Sequence, residues 1–264
     1  MKTVTSRDND AYKAMAKLVA SSAERRSRGL SVLDGVRLVR AYLDSGGAVE
    51  SIVVSREALI RNEIAELVRR CAGAAAIVVP EKLFVPLSTV ETATGIVAAV
   101  RTPESRQVPG NVRLVLLLDD VQDPGNVGTL LRSAAAAGAA HVLLSSTCAF
   151  AWSPKVLRSG MGAHFALNIV EAADLGAFIA GFPGTSVALA ANAESSIYDL
   201  DLRAPAAILV GNEGAGLSPA LLKVATVRGR IPMPGKIESL NAAVAGSLCL
   251  FEAVRQRSRD SPYR

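Results

Sequence analysis

Apolar residues recur along this chain in two rhythms. Ala11, Met15, Leu18 and Val19 share one helical face, which predicts a helix over 8–28. Asp34 is placed to cap a second helix that runs to the Gly46-Gly47 break. A short strand, SIVV, a helix over 56–71 and a second strand, AIVV at 76–79, follow. Pro80 and Pro86 bracket a helical turn, and GIVAAV at 95–100 closes this half as a buried strand. Beyond it lie LVLLL (114–118), a helix NVGTLLRSAAAAG stopped by Gly138, and HVLLS. Next come a short helix near Lys155–Ser159, a helix over 172–180, VALAA, AAILV, and a final helix from Ser239 to about Arg257. Continuous apolar strands alternating with helices predict a parallel sheet covered on both faces.

The stretch RTPESRQVPGN, 101–111, carries two prolines, a glycine and mixed charge, so it reads as a linker. We place the domains at 1–105 and 106–264. A chain of 264 residues, half of them hydrophobic, can build two such cores. The start carries no apolar signal segment, and no apolar run approaches a membrane span. Cys71, Cys148 and Cys249 lack metal-ligand spacing and read as reduced thiols of a cytoplasmic protein. A net charge of +5 hints at a polyanionic partner.

Three loops of the second half carry candidate chemistry, at strand ends where open α/β sheets bind ligands. In DDVQDPGNVGTLLRSA, 119–134, Pro124-Gly125 makes a tight turn and Asn126 is placed to cap the helix. Arg132 reads as lying in that helix's second turn, within reach of a phosphate. An ordinary strand-to-helix turn with a surface arginine explains the same residues. The next strand ends without the acid a dinucleotide ribose needs, which disfavours NAD. LVGNEGAGLS, 209–218, offers glycines for close backbone approach, with Glu213 among them. In IPMPGKIESLNAAVAG, 231–246, two prolines stiffen the lead-in from an arginine-rich strand end, and Ser239 is a fair N-cap. Leu240, Val244, Leu248, Phe251 and Val254 line one face of the last helix. Ala242, Ala243, Ala245, Gly246 and Ser247 make it narrow enough for close packing.

These three stretches, in this order, resemble the three signature motifs of the SpoU (TrmH) family of RNA ribose 2'-O-methyltransferases, and PKVLRSGMGAHF resembles the loop between the first two. Residues 1–100 more loosely resemble that family's L30e-like substrate-binding domain, with Asp34 where Glu is commoner. Asp123 stands where the family usually has Asn, and Ala243 where it often has a hydroxyl residue; both leave the RNA target open.

The resemblance implies an α/β fold of SPOUT class, whose C-terminal parallel sheet carries a deep trefoil knot. It implies S-adenosylmethionine held by Gly211, Ile231 and Leu240, with Val210, Asn212, Pro232 and Met233 in the same pocket. Arg132 takes the catalytic arginine's place, with Asn126, Glu213, Ser239 and Asn241 orienting it, the substrate and the knot. Because a guanidinium barely deprotonates, a role on the RNA phosphate suits Arg132 better than general base. His141 begins a strand, and His164 suits a structural or RNA-contact role.

Arg158, Arg25, Arg26 and Arg28 are candidate RNA contacts, although a charge run is often only a solvated helix end. The expected partners are RNA, ribosomal before transfer RNA, and a second copy of the chain through the last helix, where Leu250 and Phe251 look incompletely buried. Neither a metal nor a membrane is expected. A non-catalytic RNA-binding paralogue and an enzyme using another nucleotide are the rival readings.

Overall fold

In the computed structural model, residues 1–90 and 92–258 are described. The first half runs β1 (Lys2–Thr3), α1 (Asp10–Ala20), α2 (Ser22–Arg28), β2 (Leu30–Asp34), α3 (Val36–Asp44), β3 (Val49–Ser55), α4 (Asn62–Arg70), β4 (Ala75–Val79), α5 (Glu81–Phe84) and β5 (Ile96–Arg101). The second runs β6 (Leu114–Leu118), α6 (Pro124–Ala136), β7 (His141–Leu144), α7 (Pro154–Gly160), β8 (Asn168–Val170), α8 (Leu175–Gly181), β9 (Thr185–Leu189), β10 (Ser195–Ser196), β11 (Ala206–Val210), α9 (Pro219–Val224), β12 (Val227–Arg230) and α10 (Ala242–Ser258).

The chain forms two compact units. One comprises Met1–Glu104 together with Trp152–Phe165, the other Ser105–Ala151 with Ala166–Arg264. The segment around α7, which the sequence reading left in the second domain, thus clusters with the first. Its Val156, Leu157 and Gly160 are buried, it packs on β2, and the Phe165 ring meets Tyr42 edge-on at 5.1 Å. His164 is buried beside Trp152, ring centres 5.2 Å apart.

The first unit's sheet has the order β1-β4-β3-β5-β2. β1, β4 and β3 are parallel, and β5 runs antiparallel to both β3 and β2. The single helix expected over 8–28 is two. Ser21 is extended, and its hydroxyl accepts from the Glu24 amide, capping α2. Asp34 caps nothing. Gly35, at φ 104, is the N-cap of α3. The Asp34 carboxylate accepts instead from the Ser88, Thr89 and Thr94 hydroxyls and the Thr89 amide, holding the loop before β5.

The second unit's sheet is all parallel, in the order β10-β12-β9-β11-β6-β7-β8. Every residue of β6 and β11 is buried, as continuous apolar runs require when helices cover both faces. Leu117, Leu143, Leu209 and Leu221 belong to one core cluster on this sheet. α10 packs on α6 and β11. Its Gly246 sits so close that a Cβ there would lie 2.5 Å from a Leu130 methyl and 2.8 Å from a Val210 methyl. No described helix is long and apolar enough to cross a membrane.

Candidate functional site

A cleft with about 610 Å3 of empty space opens in the second unit, where β9, β11 and β12 end. Its walls come from three segments: Leu189–Ala191 after β9, Val210–Glu213 after β11, and Gly229–Ile231 with Met233 at the end of β12. Ser239, Leu240, Ala242 and Ala245 complete it from the start of α10. Of the expected pocket residues, Val210, Gly211, Asn212, Ile231, Met233 and Leu240 line the cleft. Pro232 does not: it is exposed between Ile231 and Met233, as an alternate position in extended chain should be.

The loop after β11 is a closed ring. The Asn212 amide donates to the Gly216 carbonyl at 3.0 Å, and the Gly216 amide returns a bond to the Asn212 carbonyl at 2.9 Å. The Asn212 side-chain oxygen accepts from the Gly214 and Ala215 amides at 2.9 and 3.0 Å. Its Nδ2 donates to the Asp120 carbonyl at 2.9 Å and to the Asp120 carboxylate at 3.1 Å. Asp120 has φ 57 and its amide donates to Ser145 Oγ. Asp119 accepts from the Ser218 amide. The two aspartates after β6, which the sequence reading passed over, thus pin this loop at both ends.

Gly211 is required by the loop itself. A Cβ there would lie 2.2 Å from the Gly216 carbonyl carbon and 2.3 Å from the Leu217 nitrogen, both backbone. The expected reason, approach of a ligand to this backbone, is therefore not the first reason for the glycine.

Glu213, Asn126 and Asn241 join the three loops. Glu213 accepts from Asn126 Nδ2 at 2.8 Å and from the Asp123 and Gln122 amides at 3.2 and 3.4 Å. Asn126 Oδ1 accepts from Asn241 Nδ2 at 2.9 Å. Asn241 Oδ1 then accepts from the Ala243 and Val244 amides. Burial pushes the Glu213 carboxyl up, but the bonds from Asn126 and the backbone outweigh it and hold it below the usual range.

Two caps expected from the sequence are corrected by this network. α6 is capped by Asp123, whose Oδ1 accepts from the Asn126 amide, freeing the Asn126 side chain. α10 is capped by Asn241, while Ser239 stands two residues too early and faces the cleft. Arg132 lies in the third turn of α6, not the second, and is exposed. Among the described residues its side chain makes no hydrogen bond or ion pair.

The expected RNA contacts fare unequally. Arg25 is withdrawn: it is 5% exposed, and its Nη1 donates to the Leu18 and Val19 carbonyls at 2.6 and 3.0 Å, closing the C-terminus of α1. Arg28 is exposed and 3.7 Å from Glu24. Arg26 is exposed, and so is Arg158, which donates to the Thr89 carbonyl at 3.1 Å. Among the described residues, no group of three or more His, Cys, Asp or Glu could hold a metal ion.

A family model described as the SpoU rRNA Methylase family matches residues 113–251. The chain is 32% identical over 254 residues to the 23S rRNA (guanosine(2553)-2'-O)-methyltransferase RlmP of Bacillus subtilis, covering 95% of this chain and 98% of that protein. It is 30% identical over 265 residues to the 23S rRNA (uridine(2479)-2'-O)-methyltransferase of Streptomyces viridochromogenes, covering 96% and 92%. Among solved structures, the SpoU methyltransferase AviRb from Streptomyces viridochromogenes in complex with the cofactor AdoMet superposes with a TM-score of 0.85 at 29% identity, covering 97% of this chain and 100% of that one.

Proposed function

The chain belongs to the SpoU rRNA methylase family, and we propose on that premise that it transfers a methyl group from S-adenosylmethionine to a ribose 2'-hydroxyl of 23S ribosomal RNA. The observation that carries this reading is the Glu213–Asn126–Asn241 chain, which ties the three motif loops together beside the cleft. Nothing in the sheet's own hydrogen bonding requires that arrangement. A site that joins three loops has a reason to spend three polar side chains there.

The cleft fits the donor. Leu189, Ile231, Leu240 and Ala245 offer apolar walls, and the segment Val210–Glu213 supplies backbone groups for an adenosyl moiety. Glu213, held ionised, is the acidic side chain of the lining and Arg230 its basic one. When bound, S-adenosylmethionine supplies an electrophilic methyl group on a cationic sulfur. The protein's part is alignment, because the reaction disperses charge and gains most from holding the attacking oxygen in line. Arg132, exposed on α6, holds an RNA phosphate and makes the neighbouring hydroxyl more acidic. Its guanidinium stays protonated and does not act as base. Asn126 and Asn241 position α6 against α10, and Ser239 lies on the cleft wall.

The partner copy and the domain roles belong to the same proposal. Val244, Leu248 and Phe251 are 47%, 38% and 47% exposed at helical spacing on α10, an apolar stripe suited to a two-fold dimer. Leu250, expected on that surface, is fully buried, so Phe251 carries it. The first unit serves as the L30e-like RNA-holding domain. The end of the chain is threaded as a knot, consistent with the close packing of Gly246. The enzyme works in the cytoplasm.

Methyl transfer from labelled donor to 23S rRNA prepared from a deletion strain tests the activity, with transfer RNA in parallel. Labelling of ribosomal RNA by the native chain, and its loss in Arg132→Ala with donor affinity kept, is expected. Labelling of transfer RNA alone would move the substrate assignment, and full turnover by Arg132→Ala would reduce that residue to a surface charge.

A further inference from the structure

The first unit carries a second, larger groove, with about 1500 Å3 of empty space counted to its open mouth. Four arginines line it: Arg37 and Arg40 on α3, Arg61 just before α4, and Arg158 on α7. Among the described residues three acids, Asp34, Asp44 and Glu63, share the wall, and each has a hydrogen-bond or ion-pair partner. Asp34 is taken by the Ser88, Thr89 and Thr94 hydroxyls. Asp44 pairs with Arg70 at 2.7 Å, and Glu63 lies 3.8 Å from Arg40. Among the described residues, that leaves three guanidinium groups with no carboxylate partner. Arg61 donates to the Thr94 carbonyl, Arg158 to the Thr89 carbonyl, and Arg37 makes a 3.7 Å contact with the Met161 sulfur. A guanidinium has five N–H donors, so each keeps several for a ligand.

The floor adds to this field. Gly35 and Val36 line the groove at the start of α3, whose N-cap makes no side-chain hydrogen bond. The first amides of that nine-residue helix thus have no side-chain cap. Arginine forks beside a bare helix start suit phosphate oxygens better than a carboxylate or an apolar ligand.

We propose that this groove holds the sugar-phosphate backbone of a single-stranded RNA segment, with Arg37 and Arg158 as principal phosphate contacts. It replaces the α2 cluster, which lost Arg25 to the protein's own interior. The proposal rests on the RNA-methylation reading, deepening it to a place on the first unit.

The test uses the full chain and a 23S rRNA transcript, with affinity measured from 50 to 200 mM salt. The groove variant is Arg37→Gln with Arg158→Gln. A control, Arg69→Gln with Lys82→Gln, removes the same charge from exposed positions of the same unit outside the groove. Each lost phosphate contact lowers the slope of log affinity against log salt by about 0.7–0.9, sparing roughly threefold of the salt-induced loss over that range. The groove variant is expected to lose about 1.5 from the slope, the control none, with donor binding by calorimetry unchanged in both. Equal slopes for native and groove variant, or equal losses in both variants, overturn the assignment. Absence of any salt-dependent RNA binding by the native chain defeats the broader RNA reading, and this groove with it.

Discussion

Replacing Gly211 by alanine adds one methyl group where the loop after β11 leaves no room for it. To bring the 2.2 Å contact out to the 3.4 Å of ordinary touching, the Gly216-Leu217 peptide must retreat by about 1.2 Å. That displacement breaks the paired backbone bonds between Asn212 and Gly216, worth about 1 kcal/mol each. Overpacking strain of about 1–3 kcal/mol adds to it. We expect Gly211→Ala to lose roughly 3–5 kcal/mol, which for a unit of this size lowers the melting temperature by about 6–20 °C.

Two neighbours grade the effect. Gly216 has φ 72 and open space around its would-be Cβ, so Gly216→Ala pays only left-handed strain, about 1–2 kcal/mol. Gly214 has ordinary φ, and its nearest neighbour is 3.7 Å away, so Gly214→Ala is neutral or stabilising by up to about 1 kcal/mol. Thermal unfolding by circular dichroism, with donor titration by calorimetry, reads the series. The order 214, 216, 211 in increasing damage is expected, with donor affinity falling in the same order. A Gly211→Ala protein as stable as Gly214→Ala would refute the reasoning.

Four further outcomes follow. Arg25→Ala should cost about 1.5–3 kcal/mol of stability, because it removes charged hydrogen bonds to α1, while leaving the salt slope of RNA binding unchanged; a changed slope would restore it as an RNA contact. Glu213 titrates below its unfolded value when folded, so its contribution is complete at neutral pH and fades as pH falls through the folded value. The melting difference between native chain and Glu213→Gln should therefore shrink from pH 7 to pH 3, and a difference that grows on acidification would reverse the sign of the argument. Burial, with help from Glu252, pushes the Cys249 thiol up to about 12, so iodoacetamide at pH 8 should leave it unmodified until the protein unfolds; rapid labelling of the folded chain would contradict that. Ala191→Trp, at an exposed position on the cleft wall, should weaken donor binding with little change in melting temperature, and undiminished donor affinity would move the donor elsewhere.

The strands with unbroken apolar runs were legible in the sequence. LVLLL and AAILV occupy the very residues of β6 and β11, because burial on both faces leaves no polar position to blur the ends. β8 and β10 were not legible. Three and two residues long, they take their strand character from register with neighbours. The break at Ser21 had a signal that helical periodicity hid: Ser21 followed by Glu24 is the spacing of a capping box. In the candidate site, spacing located the loops but could not choose among adjacent polar residues. Whether Asn126 or Asp123 caps α6 depends on Glu213, which is 87 positions away in sequence from Asn126 and competes for its side chain. Arg25 failed as a surface residue for a similar reason. An arginine in a basic run looks solvated until the turn at Ser21 folds it back on α1.

The bond between Asn126 and Asn241 spans 115 positions and ends close to the start of the last helix. During synthesis the sheet strands β6, β7, β9 and β11 all emerge before that residue does. The cleft wall formed by Ser239 to Ala245 is then still in the translating ribosome. A nascent chain can assemble most of the sheet and yet lack this wall until residues 239–245 have emerged. A truncation that removes Ser239–Ser258 takes away that wall together with the Asn126–Asn241 bond, and is expected to abolish donor binding.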